Sequence, residues 1–339
     1  MAAPLKLADC LGAGILGSTG DFARRFMSAR PFRHVAIDDF LAPDFCGELA
    51  AHFPRFEDEH ALNEDGGVGG KATRPGVREL GPAYRRLDDL VRQDAFRDWV
   101  GQVTGIDDLQ YDPQYFGGGT HENLHGQELD PHVDFNYHPI SRQHRRLNLI
   151  IYLNEEWEDE WGGSLQLHRD PHIEPGRDEI VTLTPLMNRC VIFETTERSW
   201  HGFRRIDLPA ARRSLSRRSF ALYFYTKTRP AEETGAEHST IYVERHLPEH
   251  LHPGRVLSET DLEEIKNLLH RRDQHLQRLY RDVSDLMEKL NQPLQKATIR
   301  ALRRRIHEFE SSTSWKVTKP LRAVKRLFAP PKNDPDRKA

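Results

Sequence analysis

The spacing of hydrophobic and polar residues changes three times along this 339-residue chain, and each change predicts a different kind of structure. Residues 1 to about 30 show no sustained period and predict a loose arm or a short helix. The apolar run Phe32–Leu41 predicts a strand that leads into a helix near Pro43, and the helical spacing of Ala83–Val103 predicts further helices. Between them, residues 63–75 are rich in glycine and charge and predict a surface loop.

From Tyr111 to about residue 230, short apolar runs separated by turns predict a β domain. The run Leu147–Leu153 is almost continuously apolar, which predicts a strand buried on both faces. Further predicted strands span residues 164–168, 180–183, 189–193 and 218–225. Many short strands preceded by helices predict a double-stranded β-helix, or jelly-roll, core with supporting N-terminal helices.

The region after Pro230 is predicted to be helical. Apolar residues there alternate between three- and four-residue spacing, interrupted only by Arg272. They are Leu262, Ile265, Leu269, Leu276, Leu279, Val283, Leu286 and Leu290. Four such heptads predict a coiled coil or a long amphipathic hairpin, which begins at the capping residues Ser258–Asp261 and ends at Pro293. A second helix is predicted from Ile299, Leu302, Ile306 and Phe309.

These changes divide the chain into four parts: an N-terminal arm at 1–30, a β domain at 31–230, a helical coiled-coil region at 256–310 and a basic tail at 311–339. The tail is punctuated by proline and is predicted to be partly disordered.

Composition narrows the classes of protein that remain. The net charge of −3 gives no general basic field, so nucleic acid is not an expected partner. Three cysteines lie far apart without a CxxC motif, which favours a reducing cytoplasm over a disulfide scaffold. The apolar run Cys10–Gly17 is too short to span a bilayer and lacks the basic start of a signal peptide.

The strongest chemical signal is His132-Val133-Asp134. Side chains two positions apart on a strand project to the same face, about 6.6 Å apart, and both can reach one metal ion. His201, in Trp200-His201-Gly202, would complete a set of two histidines and one carboxylate, which suits non-haem Fe(II). A lone histidine is weak support, because the chain has 18 of them.

Four further positions accompany this set. Arg218 begins the last predicted strand, where a guanidinium is well placed to grip a carboxylate through two hydrogen bonds. Tyr152 lies on the central strand with Asn148 and Ile150 on the same face.

The region from about 31 to 228 resembles the Fe(II)/2-oxoglutarate-dependent dioxygenases, specifically their prolyl-hydroxylase-like branch. The matching segments are His132-x-Asp134, Leu149-Ile150-Ile151-Tyr152-Leu153-Asn154, Trp161-Gly162-Gly163-x-Leu165, Trp200-His201-Gly202 and Arg218-x-x-Ala221-Leu222-Tyr223.

The resemblance implies that His132, Asp134 and His201 bind Fe(II). It also implies that Arg218 and Tyr152 bind the distal carboxylate of 2-oxoglutarate. Ile150 and Leu165 would form apolar walls, and Asn148 stands where relatives often carry a small polar residue. The implied cofactors are Fe(II), 2-oxoglutarate and O2, with ascorbate as accessory reductant.

The implied reaction hydroxylates a C–H bond and gives succinate and CO2. The carboxylate of Asp134 favours hydroxylation over halogenation, because a halogenating relative needs a small residue there.

One departure from the family concerns the arginine. The gap between His201 and the arginine is longer than usual, because residues 207–216 form an inserted arginine-rich loop. Strand alternation with the following Phe-Ala-Leu-Tyr favours Arg218, and Arg217, on the opposite face, is the alternative.

Other polar residues of the β region have less specific interpretations. His121 and His125 follow Gly117–Gly119 and are expected in a loop. His138, His144, His168 and His172 are expected to be ordinary residues at the rim of the β domain, and contact with the substrate is the alternative. Arg142, Arg145 and Arg146 either line the pocket mouth, where they would attract an anionic substrate, or form a solvated strand edge.

The expected substrate is a protein residue of prolyl type or a glycan-pathway intermediate. The glycan alternative comes from the segment 311–322, which is similar to a short segment in bacterial surface-glycan biosynthesis proteins. Residues 258–290 are expected to form a homo-oligomer or to dock a partner. The basic tail either contacts an anionic membrane surface, docks a partner enzyme or is simply solvated.

Two competing hypotheses remain at this point. A cupin-type metalloenzyme would not use 2-oxoglutarate and would leave Arg218 as a structural residue. A non-catalytic coiled-coil scaffold would use its β domain only for binding, although such a module has no need of metal ligands.

Overall fold

The computed structural model describes residues 5–61, 71–173, 175–243, 247–248 and 250–318. The chain divides into two compact units, 1–272 and 273–339. Most of the predicted loop at 63–75 and of the predicted tail at 311–339 lies outside the described residues.

Helices precede and support the β domain, as the sequence predicts. They are α1 (Thr19–Ser28), α2 (Pro43–Ala51), α3 (Pro82–Val91) and α4 (Asp94–Thr104). The segment expected to be a loose arm or short helix contributes α1, whose Phe22 and Phe26 are buried. The Trp99 indole of α4 donates a hydrogen bond to the Thr19 hydroxyl, 3.0 Å away, and ties α1 to the rest of the domain.

In the part of the chain that the structure describes, the larger of two antiparallel sheets has seven strands. They are β1 (His34–Ile37), β2 (Ala72–Arg74), β3 (Gln110–Tyr111), β4 (Gly119–Asn123), β6 (His144–Tyr152), β9 (Cys190–Glu194) and β11 (Arg217–Thr226). Their order is β1-β9-β6-β11-β4-β2, and β3 pairs with β11.

The smaller sheet has five strands. They are β5 (Leu129–Val133), β7 (Leu165–His168), β8 (Ile180–Leu183), β10 (Trp200–Phe203) and β12 (Ile241–Tyr242). Their order is β12-β5-β10-β7-β8, so the chain passes repeatedly from one sheet to the other between β4 and β11. This alternation is the jelly-roll arrangement that the sequence predicts.

Strand β6 explains why its sequence is apolar at almost every position. Leu147, Leu149 and Ile151 join the core formed with the helices, on the outer side of the larger sheet. Ile150 and Tyr152 project to the inner side, where they pack with residues of β7 and β9. The predicted burial on both faces is confirmed, and the inner side is where polar side chains gather.

The C-terminal helix α5 (Glu259–Ser311) is followed by the short α6 (Thr313–Val317). Its start is capped as predicted, because the Asp261 amide donates to the Ser258 hydroxyl (3.1 Å) and the Ser258 amide donates to the Asp261 carboxylate (2.8 Å). The predicted end at Pro293 is wrong, because α5 runs through this residue.

The apolar stripe of α5 is largely exposed. Leu276, Leu279, Val283 and Leu286 have 39–57% of their surface accessible. This part of the stripe is therefore exposed to solvent in the single chain.

The first turns of α5 contact the smaller sheet within the first unit. The Arg271 guanidinium lies 2.8 Å from the carboxylate of Glu128 and 2.9 Å from that of Asp130. Asp130 belongs to β5 and is 5% exposed, so this pair ties the helix start to a buried strand. Among the helices that the structure describes, none is long and apolar enough to cross a membrane.

Candidate metal centre

His132, Asp134 and His201 meet between the two sheets. β5 and β10 are paired so that His132 stands opposite His201, with ring centroids 4.3 Å apart. Asp134 follows the last residue of β5, and its carboxylate oxygens lie 3.7 Å from His132 Nε2 and 3.5 Å from His201 Nε2. One donor atom from each residue lies within 4.8 Å of the others, which is close enough for a single metal ion.

Both imidazoles are held with Nε2 directed at this centre. His132 Nδ1 is 2.9 Å from the carbonyl oxygen of Asp130, and His201 Nδ1 is 2.9 Å from that of Ser199. A carbonyl only accepts hydrogen bonds, so each Nδ1 carries the proton and each Nε2 keeps a lone pair for a metal. Burial lowers the pKa of His132 to about 3 and also lowers the pKa of His201, so both rings stay neutral at pH 7.

The carboxylate of Asp134 is kept ionised by its neighbours. Burial alone would raise its pKa, but the positive charge of Arg145 and the hydrogen bond from Asn148 act in the opposite direction, and the pKa falls below the usual value. Arg145 Nη2 lies 3.0 Å from Asp134 Oδ2, and the Asn148 amide donates to the same oxygen at 2.8 Å. The donor set is therefore two neutral imidazoles and one carboxylate, which fits Fe(II) and leaves room for other ligands.

Arg145 is a site residue, and its expected place at the pocket mouth or on a solvated strand edge is wrong. It is 1% exposed, and its guanidinium stacks 3.6 Å from the Tyr223 ring centroid and 4.5 Å from that of Phe135. Two arginines and a histidine in succession suggested a solvated edge. A register shift between Phe224 and Tyr225 breaks the alternation of β6 and puts Arg145 opposite Tyr225, which was not readable from the sequence.

Two aromatic rings flank the histidines. The Tyr242 ring lies 5.2 Å from that of His132, because β12 pairs Tyr242 directly with His132. On the other side, the Phe193 ring lies 4.7 Å from that of His201. Sequence reasoning missed Tyr242, since a two-residue strand after Pro230 gives no period to recognise.

The structure corrects the arginine assignment. Arg217, not Arg218, projects to the inner side, where its Nη2 donates to the Tyr152 hydroxyl at 3.1 Å and its guanidinium lies 4.4 Å from the Phe203 ring centroid. Arg218 projects to the outer side, 5.3 Å from the Phe53 ring centroid, with its side chain 39% exposed. The pairing of Ser219 with Tyr152 fixes this alternation, since residues two apart share a face.

The predicted Trp161-Gly162-Gly163 turn positions Arg217. The Gly163 carbonyl accepts a hydrogen bond from Arg217 Nε at 2.6 Å. Gly163 has a φ of +70°, and a Cβ there would lie 3.0 Å from the Trp157 ring and 3.3 Å from Arg217 Cδ. Glycine is therefore required both by the backbone conformation and by the space.

Of the remaining predicted cosubstrate residues, two pack against Tyr152 and one contacts the carboxylate of Asp134. Ile150 and Leu165 pack in one apolar cluster with Tyr152. Asn148 donates to Asp134 and accepts from Arg145 at 2.8 Å, so its contacts are with the metal carboxylate.

Most of the other histidines lie outside this group. His168 pairs with Asp178 at 2.7 Å and His172 with Asp170 at 3.0 Å. His125 accepts from the Leu208 amide. His121, expected in a loop, lies on β4, and burial first and then the charge of Lys71 lower its pKa.

Comparisons with known proteins found several proteins that are similar to this chain. The family model described as the 2OG-Fe(II) oxygenase superfamily matches residues 118–251. Prolyl 3-hydroxylase OGFOD1 of Mus musculus is 27% identical over 163 residues, covering 44% of this chain and 25% of that protein. The chain therefore spans about a quarter of the length of this curated relative.

Two solved structures are also similar to this chain. A prolyl hydroxylase from Trichoplax adhaerens, in complex with a hypoxia-inducible-factor peptide, matches with 15% identity and a TM-score of 0.44, over 63% of this chain and 93% of that one. HygX from Streptomyces hygroscopicus, with nickel, 2-oxoglutarate and hygromycin B bound, matches with 12% identity and a TM-score of 0.40, over 61% and 91%.

Proposed function

We propose that this chain, whose residues 118–251 match the family model of the 2OG-Fe(II) oxygenase superfamily, is an Fe(II)- and 2-oxoglutarate-dependent hydroxylase. The observation that carries the proposal is the convergence of His132, Asp134 and His201 beside an inward-facing arginine that is hydrogen-bonded to Tyr152. A cupin-type enzyme that uses no 2-oxoglutarate would have no use for that arginine, and a binding scaffold would have no use for the metal ligands.

His132 Nε2, His201 Nε2 and the Asp134 carboxylate are the proposed ligands of Fe(II). The hydrogen bonds from each Nδ1 to a backbone carbonyl fix the orientation of the rings before a metal arrives. Arg145 and Asn148 hold the carboxylate in one rotamer, so little side-chain freedom is lost when a metal is bound.

Arg217 and Tyr152 are the proposed ligands of the distal carboxylate of 2-oxoglutarate. Arg217 lies in a buried site between Tyr152 and Phe203, where a charge-assisted hydrogen bond is stronger than in water. Ile150 and Leu165 provide the apolar walls that exclude water from the carbon chain. Asn148 is proposed to lie beside the cosubstrate, because its amide donates a hydrogen bond to the carboxylate of Asp134.

Bound Fe(II), with O2 and with ascorbate as accessory reductant, would supply the redox chemistry that converts 2-oxoglutarate to succinate and CO2 and hydroxylates a C–H bond. The protein's own contribution is to orient the cosubstrate, to keep both histidines neutral and to keep Asp134 ionised.

A prolyl residue in a protein is the substrate class that we propose first. It is supported by the 27% identity to a prolyl 3-hydroxylase over 163 residues. A glycan-pathway substrate stays the second candidate, and it depends on the segment 311–322, of which 319–322 lie outside the described residues.

We further propose that residues 258–290 of α5 pair with a second copy of the chain, because their apolar seam is exposed. We also propose that the tail at 311–339 contacts an anionic membrane surface. A cytoplasmic location is the last part of the proposal, and it is supported by three free cysteines.

Succinate release tests the function directly. The purified chain, supplied with Fe(II), 2-oxoglutarate and O2, should release succinate slowly without a second substrate, and His132→Ala should abolish both this release and the bound iron. Retention of stoichiometric iron by His132→Ala, together with no succinate from the unchanged chain, would reject the proposal. His172→Ala, an exposed histidine outside the site, is the matched control.

A further inference from the structure

Lys71 projects towards the proposed metal site. β2 pairs Thr73 with His121, and β11 pairs Ser219 with both His121 and Tyr152. Paired residues lie on the same side of a sheet and residues two apart share a face, so these side chains all point inward. Lys71 stands two positions before Thr73, immediately ahead of β2, and extends the same inward series.

The electrostatic neighbours of Lys71 agree with this placement. Its pKa is lowered to about 8, mainly by burial and also by the charges of Arg145 and Arg217, while Asp134 acts in the opposite direction. The charge of Lys71 in turn lowers the pKa of His121 and, as a minor cause, that of His132. The ammonium group is thus within electrostatic reach of both the metal ligands and the proposed 2-oxoglutarate arginine.

The positive charges of the site are not matched within the described part of the chain. Arg145 is paired with Asp134, and Arg217 is hydrogen-bonded to neutral groups and awaits the distal carboxylate of 2-oxoglutarate. For Lys71, the described residues provide neither a carboxylate within 4.0 Å nor a hydrogen-bond acceptor.

A bound Fe(II) dication and a 2-oxoglutarate dianion would together add no net charge. The site would then keep an excess of positive charge from Arg217 and Lys71, and among the described residues no carboxylate within 4.0 Å pairs with Lys71. Partial removal of an ammonium group from water without a counter-charge costs free energy.

We propose that Lys71 is a specificity-determining residue that binds an oxyanion, a carboxylate or a phosphate, carried by the substrate close to its reacting carbon. The inference rests on the proposed function and narrows its substrate class. A neutral substrate would leave the half-buried ammonium without a partner among the described residues, whereas an anionic substrate would pair with it. A prolyl residue beside an acidic side chain and a phosphorylated or carboxylated sugar both meet this requirement.

Binding of small anions to the full chain loaded with Ni(II) and saturating 2-oxoglutarate tests the inference without turnover. Inorganic phosphate and acetate are titrated separately by calorimetry, and their relative affinities distinguish a phosphate from a carboxylate site. We expect Lys71→Met to weaken binding of the preferred anion about tenfold and Lys71→Arg to retain it within about threefold. Lys227→Met, an exposed lysine at the end of β11, is the control and should match the unchanged chain.

Amine labelling with mass-spectrometric readout of Lys71 locates the binding event. The preferred anion should protect Lys71, and 2-oxoglutarate alone should not. Equal anion affinity in the unchanged chain and Lys71→Met, or no anion binding at all, would overturn the inference. Protection by 2-oxoglutarate alone, with loss of its affinity in Lys71→Met, would also overturn it by placing Lys71 in the cosubstrate site. If the unchanged Ni(II) protein takes up no 2-oxoglutarate, it is the proposed function that fails.

Discussion

The guanidinium of Arg145 lies 3.0 Å from the carboxylate of Asp134, in a site where Arg145 is 1% and the Asp134 side chain 12% exposed. The pair does two things for the proposed metal centre: it fixes the carboxylate, and it lowers the pKa that burial would otherwise raise.

Replacing Arg145 by methionine should weaken metal binding. Without the guanidinium, burial raises the pKa of Asp134, so the carboxylate takes up a proton at a higher pH and competes with the metal. We expect Ni(II) affinity at pH 7 to fall about 10- to 100-fold, and the pH at which metal is released to move upward. The control Arg142→Met removes an exposed arginine paired with Glu237. Identical release profiles for the two variants would contradict the role given to Arg145.

Arg217→Ala should raise the KM for 2-oxoglutarate about 10- to 100-fold, measured by succinate release, because a buried charged hydrogen bond is lost. Arg218→Ala should change it less than about threefold, since that side chain faces Phe53 and Ser216 on the outer side. Melting temperatures of both variants separate this effect from unfolding. A larger effect in Arg218→Ala would return the assignment to the sequence-based expectation.

Gly163→Ala should disturb the position of Arg217 by displacing the backbone carbonyl to which its Nε donates a hydrogen bond. The new Cβ would stand 3.0 Å from Trp157 at a φ of +70°, so the carbonyl that holds Arg217 Nε must move. We expect a stability loss of about 1–3 kcal/mol in urea unfolding and a higher KM for 2-oxoglutarate. Gly176→Ala, where a Cβ would meet open space, is the control, and a parallel response of the two variants would argue against the positioning role.

Arg271→Gln should destabilise the β domain by about 1–3 kcal/mol, because it leaves Asp130 buried without its charged partner. Urea unfolding measures the loss. Arg272→Gln changes the exposed neighbouring residue and should stay within about 0.5 kcal/mol. Coincident unfolding curves for the two variants would show that the helix start contributes nothing to the sheet.

The double variant Leu279→Glu and Leu286→Glu should convert an oligomer into a monomer in sedimentation experiments. Both side chains are exposed on the α5 seam, so the change acts on association rather than on the fold of the monomer. Gln277→Glu with Ser284→Glu places the same charges off the seam and should leave the oligomer intact. A monomeric unchanged chain would reject pairing through α5.

The sequence was sufficient for the jelly-roll class, because the apolar periods of the strands and their turns are local signals. It was also sufficient to select His132, Asp134 and His201 as candidate metal ligands. His132 and Asp134 are two positions apart and share a strand face, and Trp200-His201-Gly202 offers the second histidine. It was not sufficient to choose between Arg217 and Arg218. That choice depends on which residue of β11 stands opposite Tyr152, and the inserted loop at 207–216 hides this register.

Lys71 was not recognised as a site residue, and Pro293 was wrongly predicted to end α5, for different reasons. Lys71 lay at the end of a glycine-rich stretch, where no apolar period announces a three-residue strand such as β2. Pro293 is a strong local stop signal, but a long helix can absorb the loss of one backbone hydrogen bond when its neighbours favour helix.

The neighbours of β5 have a consequence for how the protein is made. This strand carries His132, yet one of its edges is completed by Ile241 and Tyr242 of β12. Its Asp130 is also neutralised by Arg271 of α5. A ribosome that has synthesised every catalytic residue through Arg217 has therefore still not supplied the segments that finish the strand. The metal centre reaches its final form only after about fifty further residues have emerged, so we expect loading with metal to follow the synthesis of β12 and of the start of α5.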